Sequence, residues 1–291
     1  MRIGIIGSSG FIGSHYVARL RGDGHVILSG DIVDGDIDIR DQQSVTNWFN
    51  VNKPEIVILT AAIIRQNDIY MTPWEGLNTN VNGLVNVLSC CKDSDTTLMF
   101  SSTVHVYEGL TGTVDEDTPL DSNKPKHLYT QTKITGEEII RSYNKLYGLK
   151  YVIFRYGVLY GFNGHSDMVV NTFVARAVEN MPLKITGDGR QSRCFVNIED
   201  LCDAVSRVIS TGVLNTTINI CESINYTILD IVTLVKSHIP TTRIEYIQPR
   251  ASDLSSPVVL NHRACSMVKW STTSSLETYI KMYIEKSIFE A

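Results

Sequence analysis

Ile3-Gly4-Ile5-Ile6-Gly7-Ser8-Ser9-Gly10-Phe11-Ile12-Gly13 reads as a short apolar strand running straight into a glycine turn, and Ser14-His15-Tyr16-Val17-Ala18-Arg19-Leu20 continues it as a helix. Glycines are needed in such a turn because backbone N–H groups must approach a diphosphate, which then sits at the positive helix N-terminus. A glycine pattern alone says little. The strand before it and the helix after it give it a dinucleotide-binding meaning.

Beyond that helix, Gly24 breaks the chain and His25-Val26-Ile27-Leu28-Ser29-Gly30-Asp31 predicts a second strand ending in an acid. A carboxylate there accepts hydrogen bonds from both adenosine ribose hydroxyls and repels a 2′-phosphate, which favours NAD over NADP. A solvated turn aspartate is the competing explanation, since Asp34, Asp36 and Asp38 crowd the same region. Asp36 to Ile39 is expected to be a short strand, Val45 to Phe49 part of a helix, and Glu55-Ile56-Val57-Ile58-Leu59 a buried strand. That strand runs into Thr60-Ala61-Ala62, whose small side chains leave space for a dinucleotide lying across a sheet. Asn78 to Ser89 predicts another helix, Thr97-Leu98-Met99-Phe100 a strand ending in Ser101-Ser102-Thr103, and Tyr151-Val152-Ile153-Phe154-Arg155 one more strand.

Apolar runs alternating with helices indicate a parallel sheet covered on both faces. The expected fold is therefore α/β, a Rossmann-type doubly wound parallel sheet with a smaller, irregular C-terminal substrate lobe. Residues 1–160 are assigned to the NAD-binding domain, with 190–215 returning to it, and 161–189 and 216–291 to the lobe. Beyond residue 160, Met168 to Asn180 is expected to be helical, Gly187-Asp188-Gly189 a turn and Phe195 to Ile198 a strand. Thr227 to Asp230 resembles a capping-box helix start, and Ser275 is placed to cap the last helix.

Tyr129-Thr130-Gln131-Thr132-Lys133 lies on a predicted helix that ends at Gly148. Residues four apart share a helix face, so the phenol and the ammonium point into one region. A free phenol has a pKa near ~10, and bringing it to about 7 requires roughly 4 kcal/mol of differential stabilisation. A fixed cation works in that direction. Taken alone, such a pair is also a common accident of amphipathic helices. Thr103, at a strand end, is suited to bond a substrate oxygen and equally to be an ordinary turn residue. Glu108 to Pro125, with Gly109, Gly112 and Pro119, reads as a surface loop.

Composition narrows the classes. The chain has 291 residues and a net charge of -5, with no Lys/Arg-rich run, which argues against nucleic acid or an anionic membrane as partner. Six cysteines without a CxxC pair and seven histidines without HxxxH or HExxH spacing give no metal site. The absence of room for a signal peptide before the first strand, and of a spanning apolar segment, makes the cytoplasm the expected location.

In this order, Gly7-x-x-Gly10-x-x-Gly13, Asp31, Ser101-Ser102-Thr103 and Tyr129-x-x-x-Lys133 resemble the extended short-chain dehydrogenase/reductase family, in its NAD-dependent nucleotide-sugar epimerase/dehydratase branch. The likeness continues in Asp38-Ile39, Asn80-Val81-Asn82-Gly83, Val106-Tyr107, the segment from Gly187 to Val196, and Pro249-Arg250. It implies Tyr129 as the acid/base on a sugar hydroxyl, Lys133 as the ligand of the nicotinamide ribose that lowers the tyrosine pKa together with the cationic nicotinamide ring, and Thr103 as the residue orienting the reacting oxygen. It also implies NAD contacts from Gly7, Gly10, Phe11, Ile12, Gly13, Asp31, Ser101, Tyr129 and Lys133, with Asp38 and Ile39 flanking the adenine. Ala61, Ala62, Asn80 and Tyr156 are expected along the rest of the channel. Arg193 and Arg250 match positions that hold a nucleotide diphosphate, with surface salt bridges as the alternative. A homodimer through the helix bearing Tyr129 and that from about Asn78 to Ser89 is also implied.

Three departures narrow the reaction. The family's dehydratases carry an Asp-Glu pair after the threonine, where this chain has Val104 and His105. Elimination and decarboxylation are therefore disfavoured. Val158 replaces an asparagine that touches the substrate diphosphate in many members, and Glu108 replaces a usual glycine. The resemblance then points to a 4-epimerase acting through a transient 4-keto sugar, ahead of a dehydrogenase or ketoreductase that releases its product, and of a non-catalytic NAD-sensing protein.

Overall fold

The computed structural model describes residues 1–124, 127–249 and 255–289. Its centre is a six-stranded parallel sheet. The first four strands in the chain are β1 (Arg2–Ile6), β2 (Val26–Gly30), β3 (Ile56–Leu59) and β4 (Thr97–Thr103). The spatial order is Thr216–Ile220, Tyr151–Tyr156, β4, β3, β1, β2. After β1 the chain moves one way to β2 and then crosses back to β3 on the other side. That reversal opens a crevice at the carboxyl ends of β1 and β3, where open α/β sheets bind ligands.

Alternate residues of each strand feed opposite cores. Ile3, Ile5, Ile56, Ile58, Met99, Val152 and Phe154 face Tyr16 and Leu20 of helix α1 (Phe11–Gly22), with Leu201, Val205 and Val208 of the Ile198–Thr211 helix. Ile6, Val57, Leu59, Leu98, Phe100 and Ile153 face Val45, Trp48 and Phe49, together with Leu84, Val87, Leu88 and Ile140. A third core, around Tyr160, Phe173, Phe195, Ile231 and Tyr279, builds the lobe. The lobe carries the strand order Asn225–Thr227, Ser192–Asn197, Val158–Tyr160 and a pair formed by Leu183–Thr186 with Ile244–Ile247.

Four expectations are corrected. Asp36 to Ile39 is not a strand. Its backbone bonds go into turns and the next helix start, Asp36 N to Asp31 O, Asp38 N to Ser44 Oγ and Asp41 N to Asp38 O, although Ile37 and Ile39 are buried. Residues 216–220 belong to the main sheet, pairing in parallel with Tyr151–Tyr156, and Ala264, Val268 and Trp270 join its first core. The lobe boundary drawn at 216 therefore moves, as do those at 160 and 190, since Val158–Tyr160 and Ser192–Asn197 pair within the lobe's own sheet. The helix expected from Asn78 is a longer composite, Pro73–Leu77 and Gly83–Asp93 joined by a π turn at Asn78–Asn82. The stretch after Glu108 is not wholly at the surface. Glu108 and Val114 are buried, and Thr113–Val114 pairs with Val258–Val259; Pro125 lies outside the described residues.

Among the described residues no helix is long and apolar enough to cross a membrane, and no group of three His, Cys, Asp or Glu is placed to hold a metal ion.

Candidate active site

The crevice at the sheet reversal is a cavity of about 460 Å³. The glycine turn forms its floor. Gly7 has φ +95°, and a Cβ there would lie 2.5 Å from Ala61 N; a Cβ on Gly13 would lie 2.0 Å from Gly7 O. Neither position accepts a side chain. Ala61 N donates to Ile6 O at 3.0 Å and Thr60 Oγ1 to Gly7 O at 3.1 Å, so β3 and the turn move as one piece.

Asp31 closes one end. Its carboxylate accepts from Ser9 N at 3.0 Å and Val33 N at 3.1 Å, which fixes it against the turn. Asp38, Ile39 and Arg40 continue that wall. Arg40 grips Asp38 through Nη2 at 2.8 Å and reaches Glu75 at 3.1 Å. Its donation to Asp38 outweighs burial and holds that carboxyl below the usual carboxylate range. Ile63, Ile64, Leu159, His165 and Met168 form the other end.

Of the expected cofactor contacts, Gly7, Gly10, Phe11, Ile12, Gly13, Asp31, Asp38, Ile39, Ala61 and Ala62 line this cavity. Asn80, Ser101 and Tyr156 are not among the residues that line it. Asn80 stands on the π turn and braces the cavity wall from behind: its Oδ1 accepts from Ile63 N at 2.8 Å, and its Nδ2 donates to Ile63 O at 2.9 Å and Thr132 Oγ1 at 3.1 Å. Tyr156 is buried, with its hydroxyl 2.8 Å from Tyr16 Oη and 3.3 Å from Ser101 Oγ.

Tyr129 and Lys133 share the first turns of the Leu128–Tyr147 helix and are not among the residues lining the cavity. Lys133 is buried and donates to Ser101 O at 2.7 Å. Its Nζ lies 5.8 Å from the Tyr129 ring centroid and 4.7 Å from that of Phe100. Burial draws the Lys133 pKa down to about 8, opposed by Glu137. Burial raises the pKa of the Tyr129 phenol.

Thr103 ends β4, is buried, and accepts from His105 N at 3.2 Å. The His105 pKa falls to about 4 through burial, with Arg193 and His127 adding to the effect. Arg193 is half-buried on a strand paired to Tyr226, and its Nη1 donates to Ser192 O at 2.8 Å. Arg250 lies outside the described residues.

Residues 3–221 match the model of the NAD dependent epimerase/dehydratase family. The chain belongs to that family. It is 28% identical to the putative UDP-glucose 4-epimerase of Methanocaldococcus jannaschii, over 96% of both chains. It is 33% identical to the UDP-glucuronate 4-epimerase of Thermodesulfobacterium geofontis, over 57% of this chain and 51% of that one. Its fold is that of the Thermotoga maritima UDP-glucose 4-epimerase solved with UDP-glucose, at a TM-score of 0.89 and 24% identity over 100% of this chain and 99% of that one.

The family's cofactor is NAD, and the cavity suits it. The turn keeps Cβ atoms away at Gly7 and Gly13, an N-terminal helix end follows at Phe11, and a carboxylate stands at the end of β2 where a ribose diol would be bound. Gly7, Gly10, Phe11, Ile12 and Gly13 would hold the diphosphate, Asp31 the adenosine ribose, and Asp38 and Ile39 the adenine.

Sequence reasoning missed Arg40, Ile63, Ile64, Thr79, Leu159, His165 and Met168 in the cavity. Arg40 adjoins a residue already singled out. Leu159 and His165 come from a segment without regular periodicity and Met168 from the start of an expected helix, and none of them carries a signal of proximity to the glycine turn.

Proposed function

We propose that this family member is a nucleotide-sugar 4-epimerase in which Tyr129 moves the proton of the sugar hydroxyl through a transient 4-keto sugar. The observation that carries this reading is the tie between Lys133 and Ser101 O, which fixes the helix turn bearing Tyr129 against the end of β4 bearing Thr103. Bound NAD supplies a hydride acceptor that later returns the hydride. The chain's part is to hold the sugar hydroxyl between Tyr129 and Thr103, to take and restore its proton at the phenol oxygen, and to keep water out by burial. Lys133 would bind the nicotinamide ribose, and Arg193 with Arg250 the diphosphate.

Val104 and His105 stand after Thr103, where elimination needs a carboxylic acid. His105, half-buried and held neutral at pH 7, is a poor proton donor. Both features favour epimerisation over loss of water. We also assign a homodimer through the Leu128–Tyr147 and Gly83–Asp93 helices, which light scattering tests.

The test is incubation of purified protein and NAD with UDP-, dTDP- and GDP-hexoses, following epimers by NMR and reduced nicotinamide by absorbance. An epimer without net absorbance change supports the proposal. Stoichiometric reduction of NAD with release of an oxidised sugar favours a dehydrogenase instead, and neither signal rejects both.

A further inference from the structure

His127 stands two residues before Tyr129, at the start of the same helix, yet its side chain makes no capping bond to that helix. The ring is 9% exposed, and its Nε2 lies 3.6 Å from Oε1 of Glu108, itself 7% exposed. Its Nδ1 is buried and has no hydrogen-bond partner among the described residues. With Tyr129, Leu128, Ile69 and Tyr70 it lines one small hollow, in which Tyr70, 58% exposed, is the solvent-facing wall.

A buried ring nitrogen without a partner is costly, and native structures seldom keep one without a use for it. A carboxylate opposite Nε2 places the ring proton on that nitrogen and leaves the lone pair on Nδ1. Such a nitrogen accepts a hydrogen bond from a hydroxyl and disfavours another acceptor. Glu108 is held in turn by its own backbone, whose N–H donates to His105 O at 2.9 Å in the turn that begins at Thr103. The titratable groups that face the ring are Glu108 opposite Nε2, Tyr129 and Tyr70 in the same hollow, and His105, which is neutral. The pair thus connects the Thr103 turn to the Tyr129 helix and presents one unused acceptor beside the phenol.

We propose that His127 Nδ1 is a substrate subsite: it accepts a hydrogen bond from a sugar hydroxyl adjacent to the one that reacts at Tyr129, and Glu108 fixes the tautomer that makes this possible. The assignment rests on the nucleotide-sugar reading above and adds the chemistry of one recognised group, a hydroxyl rather than a carboxylate.

Two near-isosteric substitutions separate the ring nitrogens. His127→Asn keeps an acceptor at the Nδ1 position and gives up the Nε2 contact, whereas His127→Gln keeps the Nε2 contact and gives up the acceptor. The holoenzyme is assayed with UDP-glucose and its 3-deoxy and 6-deoxy analogues, with NAD binding and thermal unfolding confirming that each variant is folded. The wild type is expected to lose about tenfold in kcat/KM on one analogue. His127→Asn keeps most of that discrimination and His127→Gln abolishes it. Glu108→Gln, which still accepts from Nε2–H, keeps the discrimination as well, and stands in should either His127 variant fail to fold. Equal turnover of all three sugars by the wild type, or loss of discrimination in His127→Asn or Glu108→Gln but not in His127→Gln, overturns the subsite and leaves the nucleotide-sugar reading intact. Failure of the NAD-loaded protein to bind any UDP-hexose overturns both.

Discussion

Lys133 donates to the Ser101 carbonyl at 2.7 Å from a buried position, joining the tyrosine helix to the end of β4. Burial lowers its pKa to about 8, against an unfolded value near ~10.4. Between those values the unfolded chain binds more protons than the folded one, so this group's contribution to stability rises with pH across that window. Lys133→Met lacks that contribution. The difference in unfolding free energy between wild type and variant should therefore shift toward the wild type by about 2 kcal/mol from pH 7.5 to 10. Urea denaturation at several pH values checks this, and a pH-independent difference rejects it. Comparing the two proteins cancels the buried cysteines and tyrosines, whose raised values act in the opposite sense.

Tyr129→Phe removes one oxygen from a half-buried ring that lies outside the NAD cavity. NAD affinity should stay within about twofold, while turnover should fall by at least ~10²-fold if the phenol is the acid/base. Calorimetric titration with NAD and an epimerisation assay read the two effects separately. Normal activity in this variant removes Tyr129 from the mechanism.

The parts of the molecule legible in the sequence are those where one local rule decides. Ile3 to Gly13 carries strand, turn and helix signals within eleven residues, and the turn lies at the sheet reversal. Asp36 to Ile39 misled because Ile37 and Ile39 alternate like a strand, yet their burial comes from closing the second core while the backbone bonds form turns. Thr216–Ile220 reads as part of the lobe in the sequence because its partner strand, Tyr151–Tyr156, lies about sixty residues away, and such pairings leave no local mark. Helical spacing brings the Lys133 ammonium near the Tyr129 ring, at 5.8 Å from its centroid, but gives no sign of the carbonyl that accepts from it, which belongs to β4.

Gly10 and Gly13 differ in what demands a glycine. A Cβ on Gly13 would overlap Gly7 O, at 2.0 Å, while a Cβ on Gly10 would meet only Gly7 O at 3.4 Å, an ordinary contact. Gly13→Ala should lower stability by about 1–3 kcal/mol through forced displacement of the turn. Gly10→Ala should unfold within about 0.5 kcal/mol of wild type. Its NAD dissociation constant should nonetheless rise tenfold or more if Gly10 admits the diphosphate. Thermal unfolding without ligand, followed by NAD titration, distinguishes the two, and unchanged affinity in Gly10→Ala removes that glycine from the cofactor site.

Glu137 lies one helical turn beyond Lys133 and is fully buried, as is Arg155. The pair is bidentate, with Arg155 Nη2 at 2.6 Å from Oε2 and Nε at 3.0 Å from Oε1, and Ser102 and Arg141 complete the carboxylate's bonding. Arg155 Nη1 also donates to Tyr107 Oη at 2.6 Å. Burial pushes the Glu137 carboxyl up, but Arg155, Ser102 and Arg141 outweigh it and leave it below the usual range. Breaking such a pair strands a buried charge, so Arg155→Met and Glu137→Gln should each cost about 3–5 kcal/mol. Replacing both by apolar residues, Glu137→Leu with Arg155→Met, should recover most of that loss, since neither charge then needs a partner. The sign of the pH effect follows from the depressed value. The pair's contribution is complete above the unfolded glutamate pKa of ~4.3 and fades as the pH falls through the lower folded value. The double variant should therefore show a shallower acid limb than the wild type in denaturation curves from pH 6 to 3. If both single variants are as stable as the wild type, or the double variant loses the sum of the two, the buried pair does not hold the tyrosine helix to the sheet.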